Sequence, residues 1–267
     1  MGYFQDKVFL VTGASSGIGL AIAQAMVVAG ARVALMARSR DKLEELRQAW
    51  GQPERVLVTA GDVTRPEDCA AAVAATQAAF GRLDGLVHSA GVSMRGEVAA
   101  TDPAVFRQLM DINFHSSVSL IQAALPAITT ARGHVVVISS VVGHFSPPYR
   151  GGYAASKHAV QALMDALRVE VLDRGVHVLT VCPGFVATNI SLNALAADGS
   201  RYDHMDPETA GGLDARDVAR DVLAAITARK REIAPAGGLE SLGLFLARVA
   251  PALLDRFFLR RFRNKPL

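Results

Sequence analysis

Val8-Phe-Leu-Val-Thr-Gly-Ala-Ser-Ser-Gly-Ile-Gly19 decides the fold. Its first five residues form a short, nearly unbroken apolar run, the pattern of a parallel strand buried on both faces, and residues 20–29 continue as a helix. Between them stands a glycine-rich turn. Gly13 allows the tight exit from the strand, Gly17 lets backbone N–H groups approach an anion, and Gly19 permits close packing of helix on strand. Ser15, Ser16 and Ile18 fill the turn, and a pyrophosphate is favoured at the helix N-terminus that follows. Such triplets also occur as plain turns, so this one indicates a dinucleotide only together with other signals.

Further along, strand and helix patterns alternate. Strands are expected over 8–12, 32–37, 55–59, 85–89, 133–139, 177–182 and 231–234, and helices over 17–29, 41–50, 66–80, 103–131, 152–173 and 215–228. This order predicts a single α/β domain across residues 1–267: a doubly wound, parallel, Rossmann-type sheet of about seven strands with helices on both faces. Basic and acidic residues, 28 and 25, are interspersed, which describes a solvated surface and gives no indication of nucleic acid. Cys69 and Cys182 are far apart and lack metal-ligand spacing, and no histidine cluster suggests a metal. Reduced thiols, together with a beginning that lacks a basic region followed by an apolar run, lead to the expectation of a cytoplasmic protein without a signal peptide.

A second constellation carries the chemistry. Tyr153-Ala-Ala-Ser-Lys157 places a phenol and an ammonium one helical turn apart, and Ser140 ends the Val-Val-Val-Ile-Ser-Ser run upstream. A tyrosine beside a fixed cation is brought toward the range in which it can shuttle a proton, so the expected chemistry is interconversion of a carbonyl and an alcohol. Such chemistry needs a hydride donor, and the glycine-rich turn supplies its site. Each residue also has a bland reading: a half-buried aromatic, a surface charge, a turn serine.

With these residues in place, the chain resembles the short-chain dehydrogenase/reductase family over residues 6–233. Thr12 to Gly19 is similar to the family's Thr-Gly-x-x-x-Gly-x-Gly turn, and Asp62-Val63 to the pair that holds the adenine ring. Ser89-Ala90-Gly91 resembles the end of the Asn-Asn-Ala-Gly segment lining the cofactor, with His88 and Ser89 departing from the two asparagines. The resemblance implies that Asn113 is a fourth catalytic residue holding a water that reprotonates the lysine, and that Pro183-Gly184, Val186 and Thr188 wrap the nicotinamide end. It also implies that Tyr153 and Lys157 both touch the cofactor, with Lys157 on the nicotinamide ribose. A homodimer or homotetramer is implied on the two long helices, where Ser117, Ala123, Ala155, Ala159, Ala162 and Ala166 would permit close packing.

Ala37-Arg38-Ser39 ends the second strand where an acidic residue would hold the ribose hydroxyls of NAD. The missing acid favours NADP(H): Arg38 can pair with the 2′-phosphate, and Ser39 and Ser15 can offer hydroxyls. The alternative for Arg38 is a solvated charge after a strand. Apolar residues flanking the catalytic set, among them Val141, Val142, Phe145, Phe185 and Ile190, favour a hydrophobic ketone or alcohol. Residues 183–206 are similar to a branch that includes animal enzymes assigned to acyl- or alkyl-dihydroxyacetone phosphate reduction. A 3-ketoacyl thioester reductase is the rival reading within the enzyme class, and a non-catalytic NADP(H)-binding sensor the rival outside it. Residues 185–214 read as an irregular substrate lid. Residues 239–267 read as an apolar and basic helical extension with Pro251 as a kink or break, packing over the pocket or a sister subunit in preference to a membrane surface.

Overall fold

The computed structural model describes residues 2–262. Its strands are β1 (Val8–Thr12), β2 (Arg32–Ala37), β3 (Val56–Ala60), β4 (Gly85–His88), β5 (Met94–Arg95), β6 (His134–Ile138), β7 (His177–Val181), β8 (Leu195–Ala196) and β9 (Glu232–Ile233). Seven of them form one parallel sheet in the order β3-β2-β1-β4-β6-β7-β9. The order reverses between β1 and β4, which opens a crevice at the carboxyl ends of these strands. Both faces of the sheet are covered, which is why β1, β6 and β7 are buried at every position.

The helices are α1 (Gly17–Val28), α2 (Arg40–Ala49), α3 (Pro66–Phe80), α4 (Pro103–Met110), α5 (Ser116–Ala131), α6 (Gly151–Glu170), α7 (Pro207–Ala210), α8 (Ala215–Thr227), α9 (Gly238–Val249) and α10 (Pro251–Phe262). Ile22 and Met26 of α1 and Val218 and Val222 of α8 build the core on one face, with Phe9 and Val11 of β1. Val73 of α3, Leu120 and Ile128 of α5, and Val160 and Met164 of α6 build the other, with Val8 and Leu10 of the same strand. The alternation of β1 side chains between the two cores is the strand period made visible. Among the described residues, no helix is long and apolar enough to cross a membrane.

Three expectations are corrected. The helix expected over 103–131 is interrupted by a π-helical turn, Asp111–His115, between α4 and α5. The wider turn aims Asn113 inward, where its amide donates to Val92 O at 3.0 Å and Ser156 Oγ at 2.9 Å. The helix expected over 152–173 ends at Glu170, and a 3₁₀ turn, Leu172–Arg174, leads to Gly175 at φ +73. Residues 185–214 are irregular only in part: within the loop β8 pairs with β5, α7 forms, and Val186 bridges Leu213 so that the segment's ends are tied together. Its polar clusters hide this order because each of these elements is shorter than one hydrophobic period can reveal.

A buried histidine pair stitches the sheet's lower end. Lys230 O accepts from His177 Nε2 at 2.8 Å, so His177 Nδ1 accepts from His134 Nδ1 at 2.9 Å and His134 Nε2 accepts from the Tyr3 hydroxyl at 2.6 Å. Every hydrogen in this chain is assigned with both rings neutral. Burial holds His134 neutral, with its pKa lowered to about 3.

Candidate active site

The cradle begins where β1 ends. Gly13 has φ +64, and a Cβ there would stand 2.8 Å from Ala90 N, so the turn lies directly against the Ser89-Ala90 backbone. Thr12 Oγ1 accepts from Ser89 N at 3.2 Å and Ala90 N at 3.3 Å, which turns its own hydrogen toward His88 Nδ1 at 2.7 Å. His88 Nε2 then donates to Ser116 Oγ at 3.0 Å, and Ser116 donates to Ile112 O. The histidine standing where the family has asparagine therefore braces β1, β4 and the π turn together. Burial, with a smaller contribution from Lys157, lowers its pKa to about 3 and keeps it an uncharged brace. At Gly19 a Cβ would meet Gly13 O at 2.6 Å, and at Gly17 it would meet Thr188 Cγ2 at 3.1 Å. The space between these backbones is a cleft of about 190 Å³ lined by Gly13, Ser16, Gly17, Ile18, Ala90 and Gly91 on one side and Pro183, Gly184, Val186 and Thr188 on the other.

Ser140, Tyr153 and Lys157 stand in the same cleft. Ser140 leaves the end of β6 in extended backbone and its hydroxyl bonds Tyr153. Tyr153 and Lys157 share the inner face of α6, where both are buried. The ammonium donates to Ile138 O at 2.9 Å and lies 5.8 Å from the Tyr153 ring centre. Burial lowers the Lys157 pKa to about 8. The expected depression of the phenol by Lys157 is not what this geometry shows: burial raises the Tyr153 pKa, while the Arg150 guanidinium and the Ser140 hydrogen bond oppose it. Asn113 is engaged on both sides of its amide, with Oδ1 accepting from Val92 N at 2.9 Å, so its side chain braces the Val92 backbone.

The remaining expected cofactor residues, Ser15, Gly19, Arg38, Ser39, Asp62 and Val63, lie outside the cleft lining. Arg38 is exposed just past β2, and Ser39 caps α2 by accepting from Lys42 N at 3.4 Å. Burial acts to raise the Asp62 carboxyl, but hydrogen bonds from Thr64 and the nearby Arg38 and Arg65 guanidiniums outweigh it and hold the pKa below the ordinary value. Val63 packs at the edge of the core and its carbonyl accepts from Cys69 Sγ.

A second cavity, about 540 Å³ and largely apolar, opens beside Ser140 and shares Ser140, Arg150, Gly184 and Phe185 with the first. The C-terminal helices roof it. Leu254 is buried, Phe258 packs on Phe145 with ring centres 6.0 Å apart, and Arg261 pairs with Glu208 at 3.1 Å. Glu240 of α9 accepts from Phe185 N at 3.4 Å. The extension breaks where Pro251 led one to expect it: α9 ends before Ala250, and Pro251 opens α10, where its missing N–H is harmless. Leu239, Leu242, Phe245 and Val249 of α9 remain exposed.

Sequence reading missed the charged floor between the cavities. Arg150 lies one turn before Tyr153 on the α6 approach and donates to Asp206 at 3.0 Å; Arg95 pairs with the same carboxylate, which also accepts from Ser191 at 2.9 Å. No spacing announces a contact between positions 150 and 206, although a basic residue three before the tyrosine was a readable signal of a charge on the catalytic face.

Residues 7–198 match the family model described as short chain dehydrogenase. Bovine "Dehydrogenase/reductase SDR family member 7B" is 40% identical over 98% of this chain and 83% of its own length. The chain belongs to the short-chain dehydrogenase/reductase family. A Burkholderia phymatum short chain dehydrogenase/reductase in complex with NAD superposes with a TM-score of 0.80 at 26% identity, covering 100% of this chain and 99% of that one. A Burkholderia cenocepacia short chain dehydrogenase in complex with NADP does so with a TM-score of 0.79 at 25% identity, covering 96% and 98%. The protein is accordingly an oxidoreductase of CH–OH and C=O groups that uses a nicotinamide cofactor. Its own residues fit that group: Gly13 and Gly17, where a Cβ would press on Ala90 N and Thr188 Cγ2, line the cleft with bare backbone, and the buried Ser139 Oγ beside the cleft has no hydrogen-bond partner among the described residues.

Proposed function

We propose that this chain is an NADP(H)-dependent reductase of hydrophobic, lipid-derived ketones, with Tyr153 as proton donor. The observation that carries the proposal is the junction of two cavities at Ser140, Arg150, Gly184 and Phe185, one lined by the glycine cradle and Tyr153 and one apolar and roofed by α9 and α10. Bound nicotinamide would supply hydride to the carbonyl carbon. Tyr153 gives its hydroxyl proton to the carbonyl oxygen, and Ser140 donates a hydrogen bond that strengthens as charge gathers on that oxygen. Gly13 and Gly17 would lie against the pyrophosphate at the start of α1, Lys157, Pro183, Gly184, Val186 and Thr188 would hold the nicotinamide half, and Ser15, Arg38, Ser39, Asp62 and Val63 the adenosine half. The absence of an acid after β2 and the exposed Arg38 support NADP(H) over NAD(H).

The segment 185–214, closed by the Val186 to Leu213 bridge, acts as the lid in this reading, and the apolar roof excludes water from the carbonyl. The tail serves as this roof in preference to a membrane anchor. Ala155, Ala162 and Ala166 are exposed on α6 and suit a homodimer or homotetramer, whereas Ser117 is buried, donates to Asn113 O and is withdrawn from that face. A monomeric mass by light scattering at micromolar concentration would count against assembly. Following NADPH absorbance with a panel of long-chain ketones, 3-ketoacyl thioesters and short polar ketones tests the function. Turnover concentrated in the long-chain ketones is expected. Turnover confined to thioesters would favour the rival enzyme, and cofactor binding without turnover of any member would favour a sensor.

A further inference from the structure

We propose that His144, Cys182 and Glu232 form a binding site for a thiophilic divalent cation of the zinc class, one helical turn beyond Lys157 on α6. The three come from separate elements: His144 follows the 3₁₀ turn Val141–Gly143, Cys182 follows β7 and Glu232 belongs to β9. Their ligand atoms all lie within 4.8 Å of one another, and His144 Nε2 is 3.4 Å from Glu232 Oε1. Tetrahedral zinc with nitrogen, sulfur and oxygen at about 2.0–2.3 Å separates its donors by about 3.5 Å, so closure requires movements of about 1 Å.

The space among them is electrostatically incomplete. Gln161 Nε2 occupies it, 2.7 Å from His144 Nε2, 3.1 Å from Cys182 Sγ and 3.5 Å from Glu232 Oε2. A primary amide has two hydrogens for these three acceptors, and a proton on His144 Nε2 for Glu232 would collide with the amide. Nitrogen, sulfur and oxygen donors converge as a cation requires once the thiol gives up its proton, and withdrawal of the amide leaves room for one, with Gln161 Oε1 or water as a fourth ligand. The donor set selects a soft or borderline ion over magnesium or calcium, which demand oxygens.

Burial pushes the Cys182 thiol up to about 12, so the sulfur carries its proton until a cation displaces it. The balanced step is M²⁺ + Cys–SH → M–S–Cys⁺ + H⁺, with Glu232 supplying the second negative charge and His144 a neutral nitrogen. Lys157 and Asp165 also act on the sulfur, with opposite signs. His144 and Glu232 are about one-third exposed, at 34% and 39%, and give the ion a path from solvent to the buried thiol. The site has a mechanical reach: Pro183 follows Cys182 directly, and Pro183 O accepts from Val141 N at 3.0 Å and from Ser140 Oγ at 3.3 Å. A cation here would therefore grip the wall of the cofactor cleft.

The test uses the full chain after dialysis against a chelator. Zn²⁺ is titrated in competition with a chromogenic chelator, Co²⁺ binding is followed by thiolate-to-metal charge-transfer absorption, and proton release is read in weak buffer. One equivalent of Zn²⁺, a charge-transfer band with Co²⁺ and one proton released are expected. Cys182→Ser should abolish the band, and His144→Ala and Glu232→Gln, both at partly exposed positions, should each weaken Zn²⁺ binding by more than about 100-fold, beyond the usual loss from an outer-shell change. Cys69→Ser should change nothing. No stoichiometric binding, a band that survives Cys182→Ser, or binding unchanged in both His144→Ala and Glu232→Gln would overturn the site, whether or not Cys182→Ser folds.

Discussion

Tyr153 works in a setting that opposes its ionisation, because burial raises the phenol while Arg150 and Ser140 hold it down. As the proposed proton donor, it is tested by Tyr153→Phe, which keeps the ring in its apolar cluster. Turnover should fall by about 10²–10⁴-fold with NADPH affinity changed far less, as read by single-turnover kinetics and cofactor fluorescence. Arg150→Met removes the cation that lowers the phenol, so the pKa should rise further. In alcohol oxidation, which needs the phenolate, the increase of kcat with pH should then move to higher pH, and Arg150→Lys should restore part of the shift; an unmoved profile would assign Arg150 to structure alone. Arg38→Asp should exchange NADPH preference for NADH, visible as a reversed ratio of kcat/KM, because a carboxylate there repels the 2′-phosphate. Ser140, Tyr153, Lys157 and the glycines were legible in the sequence because their spacing follows one strand or one helix. Arg150 with Asp206, and Glu240 with Phe185, were not, since those contacts are made by chain crossings that no local period encodes.

At the level of elements, the seven strands along the chain and the helices between them were readable because buried parallel strands are short apolar runs, whereas their order within the sheet was not read from the sequence. The π turn was hidden: its residues keep a helical composition, and the extra residue is betrayed only by the inward Asn113. The same holds for β5 and β8, two residues each. The histidine braces make the elements sensitive to acid. His88 and His134 have pKa values lowered to about 3 from 6.5, and His177 is lowered as well. Below pH 6.5 the unfolded chain binds protons that the folded chain refuses, so the contribution of these residues is full above pH 6.5 and declines as pH falls toward 3. The thermal midpoint should hold above pH 6.5 and drop steadily from there to pH 4.5. His88→Asn, which restores the family's usual residue, should flatten the dependence by about 1.4 kcal/mol per pH unit in chemical denaturation. An equal slope in the two proteins would mean that His88 protonates in place.

Across the whole molecule, the proposed function assigns cofactor binding to the glycine cradle and substrate capture to the chamber roofed by α9 and α10. Leu254→Glu places a charge in a buried position beneath the roof, and should raise KM for long-chain ketones by tenfold or more, about 1.4 kcal/mol, while the NADPH dissociation constant stays within twofold. Loss of NADPH binding as well would show the roof to be part of the core. The amphipathic pattern of the tail and its packing over the pocket or a sister subunit were read from the sequence, but the contacts it makes were not, because the partner surface is assembled from residues near 145, 185 and 208. The sheet order also has a consequence for inheritance. Arg38, Ser39 and Asp62 lie at the β2 and β3 end of the sheet, whereas the apolar chamber, apart from Arg95, is drawn from residue 140 onward. A single genetic crossover within α5 would pass cofactor preference and substrate preference to different descendants, so the two traits are free to be reshuffled as separate halves of one gene.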